Sequence, residues 1–128
     1  MRGQRIVAVL AALAGLMAVA CGAFGAHAIV DPAAKAGLET GAKYQFMHAM
    51  ACFAAISMAH WGAPSSRFAP PFFLGGMIFF CGALYGLALG GPRWLGAVAP
   101  IGGLSFMIGW ALLAWAATGL PKSSGDGQ

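Results

Sequence analysis

The chain has 128 residues, enough for one domain, and only ten are charged: seven Lys or Arg and three Asp or Glu. Charged residues are 8% of the sequence and hydrophobic residues 60%, whereas ordinary soluble domains carry about 25% charge. That leaves too little polar surface to clothe a soluble core, and the +4 charge, scattered over separate tails and loops, forms no nucleic-acid patch.

The ten charges leave four uncharged runs, 6–30, 44–66, 68–92 and 94–121. At 1.5 Å rise per residue, about 20 helical residues cross a hydrocarbon core of roughly 30 Å. Each run is long enough to span. Backbone groups in lipid must be satisfied internally, by helices or by a closed barrel. A barrel needs strands that alternate polar and apolar residues, and these runs are apolar throughout. The expected fold is therefore all-α: a single membrane domain, 1–128, of four transmembrane helices packed through Gly and Ala faces.

The first helix is predicted at about 6–29. Arg2 and Arg5 followed by an apolar run, with Ala26-His27-Ala28 near its end, imitate a secretory signal. The run is longer than a signal's 7–15-residue apolar region, so it is read as a retained span. Ala14, Ala18, Gly22 and Ala26 recur every fourth residue, as do Ala11 and Gly15; small residues at that spacing allow close helix approach. The connection 31–42 is predicted as an interfacial loop holding a short helix. Asp31 would be its N-cap and Pro32 its first residue, and Gly37 and Gly41 would keep it short.

The second helix is predicted at about 43–61 and ends at Trp61. Gly62-Ala63-Pro64-Ser65-Ser66 is a turn cluster. The third, at about 70–89, opens on Pro70 and Pro71 and carries Gly82, Gly86 and Gly90, a doubled GxxxG expected to form a packing face. The fourth, at about 96–118, contains Pro100, Gly102 and Gly103. Pro100 can be read as the first residue of a helix or as the break of a discontinuous one. Gly22, Gly82, Gly86, Gly90, Gly102 and Gly103 are thus the expected helix-packing positions. The tail 121–128 is predicted to be disordered. Cys21, Cys52 and Cys81 fall in three different runs without a CxxC and read as small hydrophobes.

With four spans, Arg2, Arg5, Arg67 and Lys122 share one side and Lys35, Lys43 and Arg93 the other. This small excess, with two arginines beside the first span, favours cytoplasmic termini.

Four motifs occur in order: Gly22-Ala23-Phe24-Gly25-Ala26-His27, Tyr44-Gln45-Phe46-Met47-His48-Ala49, Phe79-Phe80-Cys81-Gly82-Ala83-Leu84-Tyr85, and Pro100-Ile101-Gly102-Gly103-Leu104-Ser105-Phe106 with Gly109-Trp110. Together they resemble domain-of-unknown-function family 423, small bacterial membrane proteins to which eukaryotic transmembrane protein 256 is similar. The resemblance covers about residues 15–118. It departs at Ala83, where the family's usual serine hydroxyl is absent. It implies an integral membrane protein of the cell (inner) membrane, with no assigned activity and no catalytic residues to carry over.

Polar side chains in a span are functional hypotheses by default. Antiparallel packing would gather His27, Tyr44, Gln45, His48 and Tyr85 near one membrane face, a candidate polar pocket for a small anion. The competing reading is structural, since His, Gln and Tyr often bond neighbouring helices. A haem between His27 and His48, or copper on Met47, His48, Met50 and the cysteines, lacks a recognised ligand spacing, and no cofactor or metal is assigned. All carboxylates lie outside the spans, which disfavours a proton-coupled exporter. Ser57 and Ser105 show no nucleophile elbow. The expectation is a non-enzymatic scaffold, assembly or lipid-interacting subunit in the bilayer, with a homo-oligomer or another membrane protein as partner. A small-solute permease or channel subunit, or a haem or quinone redox subunit, is the alternative.

Overall fold

A computed structural model describes residues 2–122. It contains four helical segments: α1 (Arg2–Ala28), α2 (Pro32–His60), α3 (Pro64–Ala88) and α4 (Leu95–Ala117). The chain is all-helical, as its composition requires. Of the predicted disordered tail, residues 123–128 lie outside the described residues.

Three helices, α1, α3 and α4, are long and apolar enough to cross a membrane. The exception, α2, holds Lys35, Glu39, Lys43, Gln45 and His48 and is the central element, in contact with all three others. The polar Gln45 and His48 are thereby turned inward, while Phe46, Met47 and Met50 leave an apolar face of α2 exposed. Its buried face includes Leu38, Gln45, His48, Cys52 and Ala55. By contrast α1 packs almost wholly on α2 and presents Ile6, Leu13, Leu16 and Val19 outward.

The predicted interfacial loop 31–42 is instead the beginning of α2. The cap is as expected: Asp31 Oδ2 accepts from the Ala34 amide at 2.9 Å, and Pro32 is the first helical residue. The helix then continues through Gly37 and Gly41 to His60. These glycines face α3 rather than end the helix. A Cβ on Gly37 would lie 3.6 Å from the Leu84 carbonyl oxygen, and one on Gly41 only 2.6 Å from the Tyr85 ring. At 29 residues, α2 is about 43 Å long, so its charged first turns extend beyond the hydrocarbon core.

The α1–α2 seam departs from the predicted every-fourth-residue stripe. Ala11, Ala18 and Gly25 are buried, and Val7, Ala14 and Cys21 pack beside them. The spacing alternates four and three, the period of a left-handed seam. Gly22 makes an ordinary contact, since a Cβ there would lie 3.6 Å from that of Ala42, and Ala26 is exposed.

The third helix changes its winding along its length. A 3-10 turn, Pro64–Phe68, precedes α-helix Ala69–Gly76, a π-helical turn Met77–Cys81 and α-helix Gly82–Ala88. Both α2 and α3 end in the same way. Gly62 (φ +108°) and Gly90 (φ +90°) take the left-handed conformation. The amides that follow close the turn, Ala63 N–H onto the Met58 carbonyl and Gly91 N–H onto that of Gly86. These are Schellman caps. Gly90 therefore ends a helix and does not continue a packing stripe. Gly82 is exposed, and a Cβ added to it would meet nothing within 4 Å, whereas one on Gly86 would meet Leu95 at 2.7 Å. Of the doubled GxxxG, only its middle member packs within the chain.

The strongest close approach is between α3 and α4. A Cβ on Gly102 would run into the Phe80 backbone nitrogen, and Gly76 and Gly109 leave room for the rings of Phe106 and Phe73. Gly103 is only loosely placed, its would-be Cβ 4.0 Å from Phe80. Pro100 neither starts α4 nor breaks it. The helix begins at Leu95, and the amides of Leu95, Gly96 and Ala97 bond back three residues, to Pro92, Arg93 and Trp94. Pro100 follows in the next turn, where its missing N–H leaves only the Gly96 carbonyl without its usual partner.

Candidate functional site

The five expected pocket residues separate into two clusters and one outlier. His48 is 2% exposed. Its ring lies flat on Phe106, with centroids 3.6 Å apart and planes 11° apart, and Phe73 and Trp110 tilt against it at 5.5 and 5.9 Å. The indole nitrogen of Trp110 donates to His48 Nε2 at 3.0 Å. Indole N–H can only donate, so Nε2 carries no proton and Nδ1 does. Nδ1–H then donates to the Tyr44 carbonyl, 2.7 Å away. Both ring nitrogens are committed to one neutral tautomer, which joins α2 to α4.

Tyr44 stacks near the same cluster, 4.9 Å from Phe80 and 6.3 Å from Phe106. It is partly exposed and, with His48, Phe80, Pro100, Met107 and Trp110, lines an outward groove of about 570 Å³. The groove is mainly apolar and aromatic, and of the five residues of the expected polar pocket only Tyr44 and His48 line it.

The second cluster turns the other way around α2. Tyr85 donates to Gln45 Oε1 at 2.9 Å, and Gln45 Nε2 donates to the Ala14 carbonyl at 2.7 Å. Gln45 is 4% exposed and Tyr85 9%. One chain of hydrogen bonds thus ties α3, α2 and α1 together. Gly41 makes it fit, because the Tyr85 ring occupies the space a side chain there would need. Tyr44 and Gln45 are adjacent in sequence, so about 100° of helical rotation separates them and divides the expected pocket.

The outlier is His27, exposed at the end of α1. At that end Gly25 packs on Leu38, and His48 lies ten residues further along α2, about 15 Å by helical rise. The two histidines cannot share one iron. Met47 and Met50 are exposed while His48 points inward, which also disperses the expected copper set. No group of three or more His, Cys, Asp or Glu among the described residues could hold a metal. Ser105 Oγ donates to the Phe72 carbonyl at 2.7 Å, and Ser66 Oγ to that of Ala55 at 2.6 Å. Both hydroxyls tether helices and neither meets a base.

Sequence reasoning omitted Trp110 and Phe106 from the site. Their signal was present: Gly102, Phe106, Gly109 and Leu113 recur at alternating steps of four and three, and all are buried. Trp110 flanks that stripe and carries the one indole donor that reaches His48.

This arrangement occurs in a chain with evident relatives. The family described as protein of unknown function, DUF423, matches residues 21–103. The chain belongs to this family. A UPF0382 membrane protein of Staphylococcus epidermidis is 36% identical over 113 residues, 86% of this chain and 93% of the relative. The UPF0382 inner membrane protein YgdD of Escherichia coli K12 is 37% identical over 114 residues, covering 86% and 87%. A UPF0382 membrane protein of Haemophilus influenzae is 37% identical over 109 residues, covering 83% and 88%. No solved structure gives a significant match. The DUF423 chain is a multi-pass protein of the inner membrane.

Proposed function

We propose that this DUF423 protein is a non-enzymatic subunit that acts through lateral contacts in the bilayer, and that its intramembrane polar residues are structural. The observation that carries this reading is the closed hydrogen-bond inventory. Among the described residues no buried side-chain nitrogen or oxygen lacks a partner. His48, Gln45 and Tyr85 are committed to other helices, so none is left to bind a solute. The lipid-facing surface, in contrast, carries large apolar side chains such as Leu16, Ile78 and Met107. In this reading both termini are cytoplasmic.

The test separates stability from function. His48→Phe and Gln45→Leu should lower the thermal stability of the purified protein, and any phenotype of a deletion strain should return in proportion to folded protein in the membrane. A variant as stable and abundant as wild type that fails to complement would overturn the structural role and favour a solute pocket.

A further inference from the structure

A second groove lies at the end of the bundle that holds the N-terminus. It encloses about 560 Å³ between α1, α2 and the start of α3. Its walls are apolar, with Val7, Ile56, Ala59 and Phe68 among them, and its mouth carries Gln4 and Arg67. The 3-10 turn Pro64–Phe68 sets Arg67 there. The guanidinium lies 4.9 Å from the Phe68 ring centroid, a cation–π distance that holds it over an apolar wall.

Net positive charge is concentrated at this end. Arg2 and Arg5 flank the lining residues Gly3 and Gln4 on α1. The end of α4 returns to the same place, because a Cβ on Gly62 would lie 3.0 Å from Pro121, the neighbour of Lys122. Of the four cations at this end, Arg67 lines the groove, while Arg2, Arg5 and Lys122 add positive charge around that end of the bundle. The carboxylates of the described residues, Asp31 and Glu39, belong to the opposite end, beside Lys35 and Lys43. Arg67 beside an apolar trough, at a net positive end of the bundle, complements one kind of molecule, with a phosphate at the interface and an acyl chain below it.

We infer that this groove is a binding site for an anionic phospholipid, its phosphate on Arg67 and one acyl chain along Ile56 and Ala59. The inference goes beyond the lateral-contact reading and does not rest on it, since a solute carrier could hold the same lipid.

The test uses the purified full-length chain, native mass spectrometry and thermal unfolding, with dioleoyl phosphatidylglycerol, dioleoyl phosphatidylcholine and inorganic phosphate as probes. Phosphatidylglycerol should be retained and should raise the melting temperature. Phosphatidylcholine should do neither, and inorganic phosphate should have no effect because it lacks the chain. Arg67→Gln should weaken phosphatidylglycerol retention roughly tenfold, the scale of one charge-assisted hydrogen bond. Arg67→Lys should restore most of it, and Arg93→Gln at the opposite end should change nothing. Ala59→Leu keeps the charge, fills the trough and should also displace the lipid. Equal retention of the two lipids by wild type, or phosphatidylglycerol retention unaffected by both Arg67→Gln and Ala59→Leu, would refute the site.

Discussion

The two outer seams of the bundle are built differently. Where α3 meets α4, large rings lie in slots left by glycine: Phe106 over Gly76, Phe73 over Gly109, and the Phe80 backbone against Gly102. Where α1 meets α2, Gly22 and Gly25 pack on Ala42 and Leu38, and a single polar clasp from Gln45 to the Ala14 carbonyl fixes the register. Lipid tails are as apolar as Leu, so neither seam gains from a hydrophobic effect between helices; both depend on close packing and on hydrogen bonds. The α3–α4 seam places most of its specificity in shape. The α1–α2 seam places it in one amide side chain. The seams should therefore fail in response to different substitutions.

The largest expected effect breaks the shape-based seam. Gly102→Val puts branched carbon into the Phe80 backbone, which cannot move without shifting the π-helical turn Met77–Cys81. Destabilisation should exceed about 3 kcal/mol, beyond the usual cost of overpacking. The purified protein should lose its cooperative thermal transition. If Gly102→Val melted like wild type, the α3–α4 contact would be wrong.

Next in size is His48→Ala, which removes the ring stacked on Phe106 and met edge-on by Trp110. A cavity of that kind costs about 3 kcal/mol. His48→Phe refills the space and loses the two ring hydrogen bonds, to Trp110 and to the Tyr44 carbonyl, so it should cost about 1–2 kcal/mol. The difference between the two, read by thermal unfolding in detergent, separates packing from polarity at one site. The tautomer can be checked directly: imidazole 15N shifts of His48 should show a protonated Nδ1 and a bare Nε2.

How much of this was legible in the sequence depends on what each residue had to meet. The four runs, the Asp31–Pro32 cap and the importance of Gly102 could be read locally, because charge spacing, capping and close approach leave their mark in adjacent residues. The continuation of α2 through Gly37 and Gly41 could not. A glycine that makes room for Tyr85 looks the same in sequence as one that ends a helix. Nor could the division of the expected pocket be foreseen. Placing residues by depth alone brings Tyr44, Gln45 and His48 together, and only the angular position around α2 sends Gln45 toward Tyr85 and His48 toward Trp110.

The polar clasp is the third target. Gln45→Leu strands the buried Tyr85 hydroxyl and removes the bond that ties α2 to the Ala14 carbonyl. An unmade bond of this kind costs about 1–2 kcal/mol. Because α1 has few contacts beyond α2, the damage should be local: hydrogen exchange should rise in α1 while α3 and α4 keep their protection. Adding Tyr85→Phe should remove part of the penalty, since the phenol no longer needs an acceptor. Uniform exchange across all four helices would mean that α1 is not the independently yielding element.

The smallest effect tests the doubled GxxxG, whose three glycines look equivalent in the sequence. Gly86→Leu presses on the Leu95 side chain, a contact 2.7 Å from the first added carbon. The end of a flexible side chain can yield, so about 1 kcal/mol is expected. Gly82→Leu meets nothing within 4 Å and should stay within about 0.5 kcal/mol of wild type. The ordering matters more than either size. If Gly82→Leu is the more damaging of the two, the exposed face of α3 is covered by another chain in the membrane, and small-residue packing extends beyond the monomer. If Gly86→Leu is worse, the stripe serves the α3–α4 turn and the lipid-facing side of Gly82 tolerates bulk.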